Sequence, residues 1–465
     1  MPDRFTPPDD AAHDSRPDAV ARDARPDAVA RDARPDAATR DARPDAATRD
    51  ARPDAATRDA QSGTQAHSSQ LDAPALASQL DAVAHDELRQ IARDSYARGD
   101  LAEAIDLQCK VLTSGPPAAE DALFLALMLF AMRDTPAAIR VLRDSLARFP
   151  DNPALHENLG VCLVTSGDLT AAVTACRQAL ALGSASPNVH DCLCDALYRQ
   201  GLVEEALQAG RAALEAKHRG FGGRAPIASI PSAPPPPFNP GNPAENVIAY
   251  SLWGGEPRYL VPLLESVRIL PHLFPAWSIR VYYDTTVDHN YVTDLGRRGV
   301  QLRQMILPPG QPGYRRLLWR FEAIRDPSVK RFLIRDADAL LTVKERVAVD
   351  AWLRSDRYFH AMRDWHTHTD LILAGMWGGV GNVLPSPSEL FRASTEWRVE
   401  NDHIDQDILS DTVWPAVRHS MLIHDSVFTG TLGSVPFPPF GDLPEGSHIG
   451  QNAFVHFNPA GRDPA

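Results

Sequence analysis

The chain is poor in several things that would have fixed its class at once. No window of its 465 residues approaches the roughly 18 uninterrupted apolar residues a membrane helix needs, so no transmembrane segment is expected. It has no basic excess: 47 Lys and Arg stand against 60 Asp and Glu, a formal net charge of −13. That argues against a nucleic-acid binder working through a broad basic face. The start, Met1-Pro2-Asp3-Arg4-Phe5, has no charged stretch leading into an apolar one, so no secretory signal is expected. Cysteine is scarce and local: Cys109, Cys162, Cys176, Cys192 and Cys194 are the only five. Their number is odd, and Cys192-x-Cys194 is not a zinc spacing. They read as reduced thiols packed as small apolar residues in a cytoplasmic protein.

What is present divides the chain. At 44% apolar and 23% charged residues it can build ordinary cores, and its length suggests two to four domains. Residues 16–60 are five copies of a nine-residue unit beginning Arg16-Pro17-Asp18-Ala19 and recurring from Arg25, Arg34, Arg43 and Arg52. A proline in each copy prevents a continuous helix, and almost nothing bulky is available to bury. Residues 1–84 are therefore expected to be a disordered tail, ending in a Ser/Gln/Ala-rich linker that turns helical near its end.

From about His85 a 34-residue step takes over. Gly99-Asp100, Arg133-Asp134, Gly167-Asp168 and Gly201-Leu202 keep it, as do Ala104, Ala138, Ala172 and Ala206. Each unit reads as helix, tight turn, helix, with the small alanine letting the pair pack closely. This resembles the tetratricopeptide repeat, about four copies over residues 85–219, forming an all-α solenoid. Such stacks bind a protein partner on their concave face, or simply brace a neighbouring domain. Residues 220–244 read as a linker, flexible at Gly220-Phe221-Gly222-Gly223 and stiff at Pro234-Pro235-Pro236-Pro237.

Residues 245–465 read as an α/β domain with a mostly parallel sheet. Its expected strands are Asn246 to Leu252, Trp277 to Asp284, Val300 to Ile306, and Arg331-Phe332-Leu333-Ile334-Arg335. Helical spacing runs from Tyr259 to Leu270 and from Leu317 to Ile324. The fourth strand runs directly into Asp336-Ala337-Asp338. Ligands of open α/β sheets bind at that carboxyl edge. Two carboxylates there can share a divalent cation with substrate phosphates, or form an ordinary Asp-rich turn. Further clusters follow: Arg363-Asp364, Gly375 with Gly378-Gly379, Asp405-Gln406-Asp407, His424-Asp425, and His448-Ile449-Gly450. His366 and His368 would point to opposite faces of a strand, so a two-His metal site is not expected there.

In this order the motifs resemble nucleotide-sugar glycosyltransferases of the GT-A fold, over roughly residues 245–460, and within them the glycogenin and lipopolysaccharide galactosyltransferase pattern. The whole chain is similar to bacterial proteins that fuse tetratricopeptide repeats to a glycosyltransferase-like domain. The resemblance implies a hexosyltransferase acting from a nucleotide-sugar donor on a protein or glycan acceptor. It implies Mn²⁺ or Mg²⁺ on Asp336 and Asp338, with His424 or alternatively His448 completing the shell. Tyr250, Ser251 and Trp253 would cover the base and ribose, and Arg320 would meet the diphosphate. Arg363 and Asp364 would contact donor hydroxyls. Gly375, Gly378 and Gly379 would let the backbone approach the sugar. Asp405 would serve as base or hydrogen-bond partner, or cap a helix, and Gln406 would lean on the anomeric carbon or the acceptor. Two departures stand out: Leu373 replaces the family's Asn before Ala374-Gly375, and His448-x-Gly450 is one residue short. The Asp-Gln-Asp segment leans towards retention of anomeric configuration. The pairing of repeats with a transferase is also similar to the O-GlcNAc transferases, but those lack an Asp-x-Asp site, so no close relation is implied. The alternative is a non-catalytic repeat scaffold carrying a degenerate transferase-like domain.

Overall fold

A computed structural model describes residues 73–116, 118–311, 313–394, 403–441 and 446–454, with side chains from residue 85 onward. The nine-residue repeats over 16–60 lie outside the described residues. The molecule is a helical repeat region followed by a mixed sheet domain.

Eight helices form the repeat region: α1 (Ala73–Ala97), α2 (Leu101–Ser114), α3 (Ala119–Ala131), α4 (Thr135–Leu146), α5 (Pro153–Ser166), α6 (Leu169–Ala181), α7 (Pro187–Arg199) and α8 (Val203–Phe221). The 34-residue step has a backbone cause. Gly99, Gly167 and Gly201 take φ of 84°, 85° and 77°, the left-handed turn between paired helices, and Arg133 occupies the same position at 62°. In the two middle turns the aspartate that follows caps the next helix: Asp134 accepts from Ala137 N at 3.0 Å and Asp168 from Ala171 N at 3.2 Å. Ala104, Ala138, Ala172 and Ala206 are each 0% exposed, as close helix contact requires. Helix α1 starts at Ala73, before the periodicity declares itself. Helix α8 runs to Phe221, so Gly220 and Phe221 are helical and Gly222 follows as its cap. Beyond it Ile227 and Ile230 pack against the sheet domain's core.

The sheet domain has strands β1 (Asn246–Leu252), β2 (Ser278–Tyr283), β3 (Gln301–Gln304), β4 (Arg331–Arg335), β5 (Phe359–Arg363), β6 (Met376–Val380) and β7 (Met421–Asp425), in the order β3-β2-β1-β4-β6-β5-β7. Helices α9 (Pro257–Leu273), α10 (His289–Arg297), α11 (Val343–Leu353) and α12 (Pro387–Ala393), and a 3₁₀ helix Gly313–Ile324, connect them. Helix α13 (Ile404–Ile408) leads through a π turn at Leu409–Val413 towards β7. All pairings are parallel except those of β6, which lies antiparallel between β4 and β5. β5 and β6 are consecutive strands joined by a loop, residues 364–375, that contains no helix to carry the chain over the sheet, and they pair antiparallel. Gly378 and Gly379 serve this sheet rather than a sugar. A Cβ at Gly378 would sit 2.5 Å from Phe332 O, and one at Gly379 2.4 Å from the Phe359 ring. The reversal also brings Met376, the first residue of β6, beside Arg335, the last of β4.

The two regions share buried contacts. Phe428, after β7, is 0% exposed within the repeat core, and a Cβ on Gly210 of α8 would lie 2.3 Å from its ring.

Candidate active site

A cavity of about 370 Å³ opens at the carboxyl edge of β1 and β4. Strand β1 delivers Ser251, Leu252 and Trp253 to it, and the turn after β4 delivers Asp336, Ala337 and Asp338. Arg258 and Tyr259 come from the start of α9, and Leu317 and Arg320 from the 3₁₀ helix. The β5–β6 loop adds His368, Leu373, Ala374 and Gly375, and the start of α13 adds Asp405 and Gln406. Ser251 fixes one wall: its Oγ donates to Leu317 O at 3.1 Å and accepts from Arg320 N at 3.0 Å. Trp253 stacks with Tyr259 at a centroid distance of 6.5 Å. The segment 446–454 closes the other side, with Ala453 N donating to Asp338 O at 2.8 Å.

Charge in the cavity is paired. Arg320, 3% exposed, donates through one nitrogen to Asp336 and to Arg335 O, and through the other to Asp405 Oδ2 at 2.7 Å. Burial works against its charge, but Asp336 and Asp405 outweigh it and hold the guanidinium above its ordinary value. Arg258 donates to Asp338 Oδ2 at 3.0 and 2.8 Å. Burial first, and the Asp336 charge second, push the Asp338 carboxyl up despite that arginine. Asp405 Oδ1 accepts from Gln406 N at 2.9 Å. Among the described residues no group of three His, Cys, Asp or Glu is arranged to hold a metal ion. Two carboxylates, Asp336 and Asp338, do line one cavity, which suits a cation that takes its remaining oxygens from phosphate and water. Gly375 is needed here, because a Cβ would lie 1.8 Å from Asp336 Oδ2.

Five residues expected at the site do not line it. Tyr250 is 0% exposed in the core, because alternation along β1 turns it away from Ser251. Arg363 is buried against Asp425, with Oδ2 at 3.2 Å. Asp364 works as a structural hub: it takes Lys344, Ser426 Oγ and, at 2.8 Å, Ile449 N. His424 is 2% exposed on β7 and hydrogen-bonds His360 at 2.8 Å. Three strand spacings, about 14 Å, separate β7 from β4, so His424 cannot join Asp336 and Asp338. His448 stacks on Trp365 at 4.7 Å and meets His368 edge-on at 5.0 Å, at the cavity's margin.

The buried histidines give a pH prediction. Burial lowers His424 to about 4, and burial, then His424 and Arg335, hold His360 well below the ordinary histidine value. The unfolded chain, with histidine near roughly 6.5, then binds more protons. Stability from this pair is present above that value and is lost as pH falls towards 4. Urea unfolding midpoints measured from pH 7 to 4 should fall on the acid side, and His424→Leu should flatten that fall. An equally steep fall in the variant contradicts the assignment.

Arg258, Tyr259, His368, His403 and Asn452 line the cavity and were not read from the sequence. Arg258 had a usable signal: it opens the helix that follows the first strand, where the carboxyl-edge crevice lies.

A family described as Tetratricopeptide repeat matches residues 125–187, from within α3 to the start of α7. No curated protein matches the chain. Among solved structures the chain is similar to residues 41 to the end of MamA from Desulfovibrio magneticus RS-1, at 19% identity over 29% of this chain and 76% of that one, with a TM-score of 0.27. A further MamA structure aligns at 20% identity over 29% of this chain and 80% of that one, TM-score 0.28. A mutant O-GlcNAc transferase from Thermobaculum terrenum aligns at 22% identity over 55% of this chain and 46% of that one, TM-score 0.35. At these scores none of the three bears on what the sheet domain does.

Proposed function

We propose that the sheet domain is a glycosyltransferase that moves a hexose from a nucleotide-sugar donor to a protein or glycan acceptor, with the repeats engaged with acceptor or partner. The observation that carries this is the convergence of Asp336, Asp338, Asp405, Gln406 and Trp253 on one cavity at the carboxyl edge. When bound, Mn²⁺ or Mg²⁺ would neutralise the departing nucleoside diphosphate as a Lewis acid. Asp336 and Asp338 would hold it, with phosphate oxygens and water completing the shell, so neither His424 nor His448 is required. Arg258, which donates to Asp338 Oδ2, would turn towards a donor phosphate as the cation binds. Trp253 and Tyr259 offer a flat apolar surface to a base. Asp405, already engaged by Arg320 and by the Gln406 amide, fixes Arg320 and hydrogen-bonds the sugar in preference to acting as a base. The buried free thiols suit a reducing compartment, the cytoplasm.

The scaffold reading draws on one observation, that the cavity carboxylates already have arginine partners. A screen of nucleotide release from a panel of sugar nucleotides, with Mn²⁺ and then with a chelator, separates the two. The transferase reading expects one donor to be turned over in the presence of the metal; silence from every donor, together with no donor binding, sinks it. On the same assay Gly375→Ala should lower turnover about a hundredfold, since a misplacement of roughly 1 Å at a reacting site costs that much. Unchanged turnover would mean that Asp336 is not needed where it stands.

A further inference from the structure

The loop from 364 to 375 has two faces. His368, Ala374 and Gly375 line the cavity. The opposite face is gripped by the last repeat pair. His366, 1% exposed, stacks on Tyr198 at 3.7 Å, and its Nε2 lies 3.1 Å from Asp195 Oδ1. Lys217 of α8, 3% exposed, donates to Asp370 Oδ1 at 2.8 Å and Thr369 O at 3.1 Å, and pairs with Asp191 Oδ2 at 2.8 Å. The other oxygen of Asp370 accepts from Gln406 Nε2 at 3.0 Å, and Gln406 Oε1 accepts from Ala374 N at 3.4 Å.

We infer that Lys217, a residue of the repeats, is a positioning residue for Gln406, acting through Asp370. An ionised carboxylate can only accept hydrogen bonds. Fixed through Oδ1 by Lys217, Asp370 turns Oδ2 to Gln406, so the Nε2 end of the amide faces it. The amide oxygen is then turned to Ala374 N, beside the Gly375 that abuts Asp336. Without the lysine, Asp370, 9% exposed, loses its contacting cation. Its carboxylate is then no longer held against α8, and the Gln406 amide that donates to it loses a fixed acceptor. The repeats are in this way part of the cavity's support and not a detachable acceptor module. Only the kinetic part of the test rests on the transferase reading.

The full-length Lys217→Met variant is compared with wild type by hydrogen–deuterium exchange. The expected result is exchange faster by about tenfold or more in peptides covering 370–376, with peptides covering 246–252 unchanged. No change over 370–376, or an equal rise in both, overturns the inference. If Lys217→Met does not fold, Lys217→Gln, which keeps a donor without the charge, takes its place under the same criteria. The kinetic arm follows turnover of a UDP-hexose, or of whichever donor the release screen finds, with Mn²⁺ in Lys217→Met, Gln406→Ala and the double variant. Expected is a double variant within about twofold of Gln406→Ala, because one acts through the other. Fully multiplied losses overturn the positioning role. If wild type turns over no donor, the transferase reading fails while the exchange result still decides the role of Lys217.

Discussion

On the proposed function, Asp336→Ala should lower turnover of the nucleotide-sugar donor by about a thousandfold, while the chain stays folded. The size follows from removing half of the pair that would neutralise a leaving diphosphate, a loss of roughly 4 kcal/mol at the transition state. The folding cost should be small for a geometric reason. The Asp336 side chain is 40% exposed, and the arginine it touches keeps Arg335 O and Asp405 as acceptors. With one partner this exposed and Asp405 still pairing the buried Arg320, the loss should be about 1 kcal/mol. Steady-state kinetics paired with thermal unfolding checks both halves. Turnover within tenfold of wild type contradicts the assignment, and a collapsed thermal midpoint would assign Asp336 to the fold.

Arg320→Met should cost stability as well as activity. It is 3% exposed and bridges Asp336 to an Asp405 side chain that is 6% exposed. Removing one partner leaves a buried carboxylate uncompensated, which costs about 3–5 kcal/mol. For a domain of this size that lowers the thermal midpoint by roughly 10 °C. Activity should be lost as well, since Asp336 and Asp405 then lack the guanidinium between them. Adding Asp405→Asn should recover part of the midpoint but not the activity, because a neutral amide needs no counter-charge. Calorimetry on wild type and both variants decides it. An unchanged midpoint in Arg320→Met would mean that the bridge carries no folding energy.

Much of this arrangement was legible in the sequence, for reasons that can be traced. The repeats announce themselves because the left-handed turn falls on glycine in three of its four occurrences, 34 or 68 positions apart, and the tight helix contact demands alanine every 34 positions. Asp336 and Asp338 could be placed because a short apolar strand fixes where its carboxyl edge falls. Asp405 and Gln406 could be placed only through the order of motifs. What stayed hidden depends on strand order and on contacts across long stretches of chain. Nothing local says that β6 runs antiparallel between β4 and β5, and that insertion is what carries His424 and Arg363 away from the cavity. Tyr250 was misplaced by one residue of strand alternation. Lys217 sits in ordinary repeat register and has no local mark of its contact with Asp370, 153 residues on.

The most direct measurement is calorimetric titration of nucleotide sugars into wild type and Asp338→Ala, each with and without Mn²⁺. Arg258 no longer pairs with Asp338 in the variant and can attract a diphosphate by itself, so the deciding quantity is the metal dependence of binding and not binding alone. The account predicts saturable, Mn²⁺-dependent binding of at least one donor to wild type, and affinity in Asp338→Ala that no longer responds to the metal. Donor binding that is indifferent to Mn²⁺ in wild type, or equally Mn²⁺-dependent in the variant, would contradict it.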